Sequence, residues 1–486
     1  MLAIEIADKL YRGKLPRDIP MESRLFQDKA VEKLNKHSRH ILGLPMGSGK
    51  TVVAVRALKN WAPSRSLIIP TERAILGWLK VMWLWFPEEL EKYAIIGKNY
   101  TKHERIKFYN EHAKHPRLSV ISNWHLLTRD SDNMPPLHFD VIMTDEHHKF
   151  MRNRNTKAHK MLATHFRSDK ILMLTGSPAS KGAQDFYATL NVLDPKLFKS
   201  YWKFVSTWCN VSETPHGKDV WGTRNEEAFK RMLFSYAIIA TKKQLGLQKK
   251  VRDVIRVQMD ALQQRAYDQI RDEFLLELED APPVVMLNTL SQYIKLRQVT
   301  SCPAILNPQL GIGGGAKHIQ DTLLDLSVPE RHSVIFTPFK LGLPYLKAFY
   351  EGRGKEVGLP ASDNGVSLGI PVYTFSGGMG LDNLFEGLYN FKKYGGLAIC
   401  TTQFAESFDM ETTDKAFMLG FDWDPQINYQ AEDRIDRLNN PHGLINIYYL
   451  LHEGSLDEDI LYSLAYKQEN VHKLFSQTHR LIEALR

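Results

Sequence analysis

The sequence predicts an α/β protein: two parallel-sheet lobes with a helical insertion and connector between them. Three observations carry that expectation. Short apolar segments of strand length alternate with helical patterns in the first half of the 486 residues, and a second such series fills the last third. Between the series the pattern changes to long, aromatic-rich helical stretches such as DFYATLNVLDPKLFKSYWKFVSTW and MDALQQRAYDQIRDEFLLELED. The composition, 43% hydrophobic and 24% charged, suits a globular chain with room for two or three domains.

From the N-terminus, MLAIEIADKLYRGKLPRDIP is broken by Glu5, Asp8 and Lys9. It therefore reads as neither a signal peptide nor a membrane span, so a cytoplasmic location and no membrane partner are expected. The strand segments of the first lobe are SLIIP, RLSVISN, FDVIMTDE and KILMLTGSP, each followed by a turn and a helical pattern. GIGGGAK, Gly311 to Lys317, reads as a flexible lead into the second lobe. There the strand segments are HSVIFTP, PVYTFSGG, LAICTT, KAFMLGFD and LINIYYLL. Three cysteines, Cys209, Cys302 and Cys400, are far apart and lack metal-finger spacing, which argues for a reducing compartment. The net charge of +8 favours a polyanionic partner. The excess is clumped in KFMRNRNTKAHK (Lys149 to Lys160) and TKKQLGLQKKVR (Thr241 to Arg252), each of which reads equally as a contact surface or a solvated face.

The turn LPMGSGKT, Leu44 to Thr51, ends an apolar stretch and runs into the helical pattern TVVAVRALKNW. Backbone N–H groups at a glycine-rich turn ahead of a helix approach phosphate oxygens, and the helix dipole favours their charge. Gly47, Ser48 and Gly49 form the expected turn, Lys50 is expected on the β and γ phosphates, and the Thr51 hydroxyl on Mg²⁺. The strict pattern carries glycine where Leu44 stands, so the match is to the relaxed form.

FDVIMTDE delivers Asp145 and Glu146 at the C-terminal end of a strand, where parallel sheets build their sites. Asp145 is expected to hold Mg²⁺ and Glu146 to polarise the attacking water. The chain between Lys50 and Asp145 has room for about three strand-helix units of ~30 residues each. His147 and His148 make a poor metal site, since adjacent residues of an extended segment point apart, and a coupling or hydrogen-bonding role fits better.

LFQDKAVEKL, LPMGSGKT, SLIIPTERAILGWLKV, SVISNWHLL, DEHH and LTGSP resemble, in order, the motifs of the first lobe of a superfamily-two helicase. These are the adenine-reading glutamine motif, the phosphate loop, two DNA-contact motifs at strand ends, the acidic box and the coupling motif. SVIFTPF, CTTQFAESFDM and NYQAEDRIDRLNN resemble its later motifs, so the series runs from about Leu25 to Arg437. LTGSPASKGAQDFYATLNVLDPKLF, KLRQVTSCP, FDWDPQINYQAEDRIDRLNN and YYLLHEGSLDEDI narrow the resemblance to Swi/Snf-like ATPases, with QAEDR similar to annealing-helicase members.

The resemblance implies a RecA-like ATP-binding lobe over 1–240 with a helical insertion at about 182–235, a helical connector over 241–310, and a RecA-like helicase lobe over 311–486. It implies ATP and Mg²⁺ as cofactors, with Gln27 reading adenine. It places Gln430, Arg434 and Arg437 in the arginine motif, where the guanidiniums stabilise the γ-phosphate in the transition state. Spacings of four and three put these three side chains on one helix face; a salt-bridged surface helix with Glu432, Asp433 and Asp436 is the other reading. For DNA the implied contacts are Pro70, Thr71, Ser122 and Asn123 in the first lobe and Thr337, Thr401 and Thr402 in the second, gripping phosphates without reading bases. Trp124 fits base stacking or packing, and Trp202, Phe204 and Trp208 fit a helical core or a strand-separating wedge.

Three departures stand out. His147 replaces the usual alanine, CTTQFAESFDM lacks the usual glycines, and NNPHG replaces the common ending of the arginine motif. The expected function is a monomeric ATP-dependent translocase on duplex or branched DNA. The alternatives are a strand-separating or branch-migrating helicase, and a nucleotide-gated DNA-binding or remodelling subunit with weak turnover.

Overall fold

The computed structural model describes residues 2–11, 23–45, 47–72, 74–113, 119–151, 153–176, 182–214, 217–240, 245, 249–278, 281–286, 288–379, 381–403, 410–437 and 440–462. The chain divides into two compact units, one built on Met1–Leu247 and the other on Gln248–Tyr466. Among the described residues no helix is long and apolar enough to cross a membrane.

The first unit carries β1 (Arg39–Gly43), β2 (Ser66–Ile69), β3 (Tyr93–Ile96), β4 (Ser119–Ser122), β5 (Leu137–Thr144) and β6 (Phe166–Thr175). It adds a hairpin of β7 (Asn210–Thr214) and β8 (Gly217–Trp221), then β9 (Ala237–Ile239). Seven strands form one sheet in the order β3-β4-β2-β5-β6-β1-β9, and every pairing in it is parallel. Strands as short as SLII and SVIS are wholly buried, as expected where helices cover both faces. Successive residues of each strand feed opposite faces. Ile41, Leu67, Ile69, Val120 and Ile142 enter one hydrophobic core, while Leu42, Ile68, Ile121, Val141 and Met143 enter the other.

Three helices begin the unit: α1 (Ala3–Tyr11), α2 (Leu25–Asn35) and α3 (Lys50–Trp61). The insertion expected to be helical at about 182–235 also contains the β7-β8 antiparallel hairpin. Directly after it, β9 adds to the sheet beside β1.

The second unit carries β10 (Lys249–Val257), a small antiparallel pair β11 (Leu275–Leu278) and β12 (Ala281–Val285), β13 (Ser333–Thr337), β14 (Val372–Phe375), β15 (Leu397–Thr401), β16 (Lys415–Leu419) and β17 (Leu444–His452). Its parallel sheet has the order β10-β17-β16-β13-β15-β14. Val334, Phe336, Cys400 and Met418 face one core, and Ile335, Ile399, Phe417 and Leu419 the other.

Two expectations need correction here. Residues 249–310 are not a connector: β10 is the edge strand of the second sheet, paired with β17 along its whole length. The helices Ala261–Glu273 and Thr289–Ser301 bury Tyr267, Ile270, Leu296 and Val299 in the second unit's core. Nor is GIGGGAK a flexible lead. Gly314 opens a helix to Leu324, and a Cβ on it would overlap the Gln258 carbonyl, so these glycines serve close backbone approach.

Candidate active site

The phosphate loop leaves β1 and enters α3. Gly47 and Gly49 both lie in the left-handed region, at φ 77° and 83°, and Gly49 is the N-cap of α3. The turn closes on itself, since the Ser48 hydroxyl donates to the Pro45 carbonyl at 2.6 Å and Lys50 reaches that carbonyl at 3.5 Å. Gln27, from α2, is buried against the loop: its Nε2 donates to the Ser48 carbonyl at 2.9 Å, and its Oε1 accepts from the Arg24 N–H at 3.1 Å. A Cβ on Gly49 would meet the Gln27 amide, so a side chain there would displace the glutamine from the loop. Thr51 stands in the first turn of α3.

The acidic box follows β5, two strands from β1 across β6. The Asp145 N–H donates to the Ile69 carbonyl at 2.9 Å, which seats the box at the end of β2. Its carboxylate accepts from the indole of Trp78 at 3.1 Å and from the Glu146 N–H at 3.0 Å. Burial, then the charge of Glu146, push the Asp145 carboxyl up to about 6, against the pull of Lys50. For Glu146 burial acts in the same direction, but His148, Lys50 and Lys149 outweigh it and hold the group as a carboxylate. Lys50 is thus within electrostatic reach of both acids, bringing the loop and the box together. Glu146 has φ 48°, a left-handed conformation uncommon for a residue with a side chain and the kind of strain that gathers at functional sites.

Both histidines are spoken for. His147 is buried, its Nδ1 lies 3.0 Å from the Leu174 carbonyl at the end of β6, and burial pushes its imidazole down to about 4. Neutral His147 therefore donates to that carbonyl and pins the box to its neighbour strand. His148 Nδ1 lies 2.8 Å from the Thr175 hydroxyl and 3.3 Å from the Glu146 carboxylate, linking LTGSP to the acidic box. A coupling or hydrogen-bonding role is expected of one of the two; both make such contacts.

The donor set suits a divalent cation and its nucleotide. Lys50 is the cation that acts on Asp145, and the raised Asp145 carboxyl marks a position short of positive charge.

The expected DNA contacts sit at strand ends with their side chains largely engaged. Pro70 is buried and its carbonyl accepts from the Trp124 N–H at 3.3 Å, while Thr71 is partly exposed. The Ser122 hydroxyl donates to the Ile96 carbonyl at 2.9 Å, and Asn123 caps the helix Trp124–Asp130 through Leu126 N–H at 3.0 Å. Thr337 shares a hydrogen bond with Ser301 at 2.8 Å. Thr401 and Thr402 are buried, and the Thr402 hydroxyl finds no partner among the described residues. Much of CTTQFAESFDM, residues 404–409, lies outside the described residues.

Trp124 is fully buried, stacked on Phe150 at 5.0 Å, which excludes base stacking by this ring as it stands. In the insertion Phe204 belongs to the core and Trp208 packs against it, whereas Trp202 is 48% exposed beneath Arg154 and Lys218. The sequence gives no sign that the Trp78 indole would bind Asp145, because an indole inside GWLKV reads only as core.

In the second unit the arginine motif departs from its expected geometry. Gln430 lies in the helix Pro425–Glu432, but that helix stops before Arg434 and Arg437, so the three do not share a helix face. The Arg434 carbonyl accepts from Met410 N–H at 2.8 Å, and the Ile435 carbonyl from the Asn440 side chain at 2.7 Å. Gln430 and Arg434 are buried, and Arg437 is partly exposed.

The acids between them are not solvated. Glu432 accepts from Arg252 at 2.7 and 2.6 Å, from Lys250 at 2.8 Å and from the Tyr449 hydroxyl at 2.7 Å. Lys250 also reaches Asp433 at 2.7 Å and Asp436 at 3.4 Å. Burial would lower the Lys250 ammonium, but these carboxylates more than reverse it. Within the Thr241 to Arg252 run, Lys250 and Arg252 are thus engaged with acids of their own unit.

Comparison with known proteins gives a consistent picture. The SNF2-related domain model matches residues 26–305. The chromatin structure-remodeling complex subunit snf21 of Schizosaccharomyces pombe is 23% identical, over 90% of this chain and 37% of that protein. The probable ATP-dependent DNA helicase CHR12 of Arabidopsis thaliana is 23% identical, over 89% and 39%. The transcription regulatory protein SNF2 of Saccharomyces cerevisiae is also 23% identical, over 91% and 27%. The chain thus spans less than half the length of each of these relatives. Among solved structures, the Sulfolobus solfataricus SWI2/SNF2 ATPase core in complex with dsDNA is 19% identical with a TM-score of 0.42, covering 95% of this chain and 94% of its own.

Proposed function

The chain belongs to the SNF2-related domain family of Swi/Snf-like ATPases, and from that premise we propose that it hydrolyses ATP to move along duplex or branched DNA. The observation that carries the reading is the pair Asp145–Glu146, buried at the end of β5 within the field of Lys50. A nucleotide triphosphate supplies the anion that Gly47, Ser48, Gly49 and the N-terminus of α3 are shaped to receive; Gln27 holds that loop and would read adenine there. Glu146, kept ionised, polarises and orients the attacking water.

Thr51 and Asp145 would hold Mg²⁺, which when bound neutralises charge on the phosphates. Gln430, Arg434 and Arg437 supply further positive charge and hydrogen bonds to the transferring phosphoryl group. DNA phosphates are gripped at Pro70, Thr71, Ser122 and Asn123 and at Thr337, Thr401 and Thr402. Because Ser122, Asn123 and Thr337 spend their side chains internally, backbone amides carry that grip at those positions.

The test is ATP turnover with and without duplex DNA. Wild type is expected to be strongly stimulated by DNA, and Lys50→Ala and Glu146→Gln to lose about 10²–10⁴-fold in turnover. Wild-type turnover in either variant overturns the assignment. Running the assay on duplex, fork and four-way junction, with triplex displacement beside strand displacement, separates tracking from unwinding.

A further inference from the structure

We propose that Trp78 and Trp124 are positioning residues that tie the two DNA-contact strand ends of the first unit to the magnesium aspartate, Asp145. The inference rests on the nucleotide and DNA reading above and extends it to how one site informs the other.

The wiring follows the order of the sheet. β2 lies between β4 and β5. The helix Ala74–Trp85 follows β2 and the Pro70–Thr71 end, and the helix Trp124–Asp130 follows β4 and the Ser122–Asn123 end. Each helix sends one indole to the same residue. Trp78 Nε1 donates to Asp145 Oδ2 at 3.1 Å, and Trp124 Nε1 donates to the Asp145 carbonyl at 2.8 Å.

The backbone closes the circuit. Trp124 N–H donates to the Pro70 carbonyl at 3.3 Å, and Asp145 N–H to the Ile69 carbonyl at 2.9 Å. Asn123, on the DNA side, caps the helix that begins with Trp124. A displacement of either strand end is thereby carried to the backbone or the carboxylate of Asp145 through a single side chain.

Packing alone does not account for the arrangement. Both rings are essentially inaccessible, at 1% and 0% exposure, and phenylalanine would fill a core without a polar N–H to satisfy. Here two buried N–H donors from different helices converge on one acid. The Trp124 ring also stacks on Phe150, at the end of the helix His147–Phe150 that follows the box, so its tilt is set by the acidic box as well as by β4.

The test uses the full chain and a readout that does not require turnover. Mn²⁺ binding in the presence of ADP is measured by electron paramagnetic resonance, with and without duplex DNA, for wild type, Trp78→Phe and Trp124→Phe. Loss of one hydrogen bond to a charged group predicts about tenfold weaker Mn²⁺ binding in Trp78→Phe. Trp124→Phe is expected to lose most of the change in Mn²⁺ affinity that DNA causes in wild type.

Replacing each tryptophan with benzothienylalanine, which keeps the ring shape and removes only the N–H, repeats the measurement where phenylalanine disturbs folding. Wild-type Mn²⁺ affinity and DNA response in both N–H-deleted proteins overturn the proposal. Weakened Mn²⁺ binding in Trp78→Phe, beside a wild type that DNA never stimulates, overturns the translocase reading but keeps the positioning of Asp145. A wild type that binds no Mn²⁺ with ADP overturns both.

Discussion

Each unit buries a pair of adjacent carboxylates, and Asp145 in one and Glu432 in the other are treated in opposite ways. Asp145 and Glu146 share Lys50, while His148 and Lys149 act on Glu146 and hold it ionised, so burial and the Glu146 charge leave Asp145 pushed up to about 6. Glu432 and Asp433 meet Lys250, Arg252 and a tyrosine hydroxyl at hydrogen-bonding distance, and Glu432 is held down to about 2 although burial alone would raise it. A fully compensated cluster is scaffolding. An under-compensated one has a charge deficit that a ligand can fill.

The sharpest way to break the comparison is to neutralise one acid in each unit. Asp145→Asn removes the acid whose charge the fold disfavours, so its thermal midpoint should be no lower than wild type while its turnover collapses. Glu432→Gln leaves Arg252 without its carboxylate and should destabilise the second unit by about 3 kcal/mol, read by denaturant unfolding. A Glu432→Gln protein as stable as wild type would remove the distinction.

Acid sharpens the contrast further. Burial pushes His40, in β1, down to about 3, so the unfolded chain takes up a proton that the folded unit refuses. Its contribution falls as pH drops below about 6.5, by roughly 2 kcal/mol at pH 5. Glu432 is depressed, so its contribution is complete above about 4.5 and is lost only as pH falls toward 2. His40→Leu should therefore flatten the stability profile between pH 6.5 and 5, and an unchanged slope would refute the assignment. The smallest effect expected is Gly49→Ala, at about 1–2 kcal/mol of stability, from the positive φ and the clash with Gln27. Nucleotide binding, measured by calorimetry, should weaken with it.

Much of this was legible in the sequence. Wherever a short apolar run met a glycine-rich or acidic turn, as at LPMGSGKT and FDVIMTDE, local chemistry and the two-faced burial of parallel strands gave the same answer. What escaped the sequence was what depends on distant partners. Lys250 and Arg252 read as part of a basic run because the acid that pairs with them, Glu432, lies about 180 residues away in the chain. The helix that carries Gln430 ends before Arg434 and Arg437, and the carbonyls of Arg434 and Ile435 accept from Met410 and Asn440. Nothing near Trp78 announces an aspartate as the partner of its N–H. His147, which departs from the family pattern, proves to be a strand-to-strand tether through Leu174.

The clamp of β10 on the arginine motif has a practical consequence for dissecting the molecule. Any separately expressed second lobe has to start ahead of Lys249. A fragment beginning at the glycines of 311–315 would lack the edge strand that pairs with β17 and both cations that balance Glu432. Such a fragment would expose a sheet edge prone to self-association and leave a buried carboxylate unpaired. An insoluble second lobe made that way would reflect where the chain was cut and would say nothing about the lobe's capacity to fold.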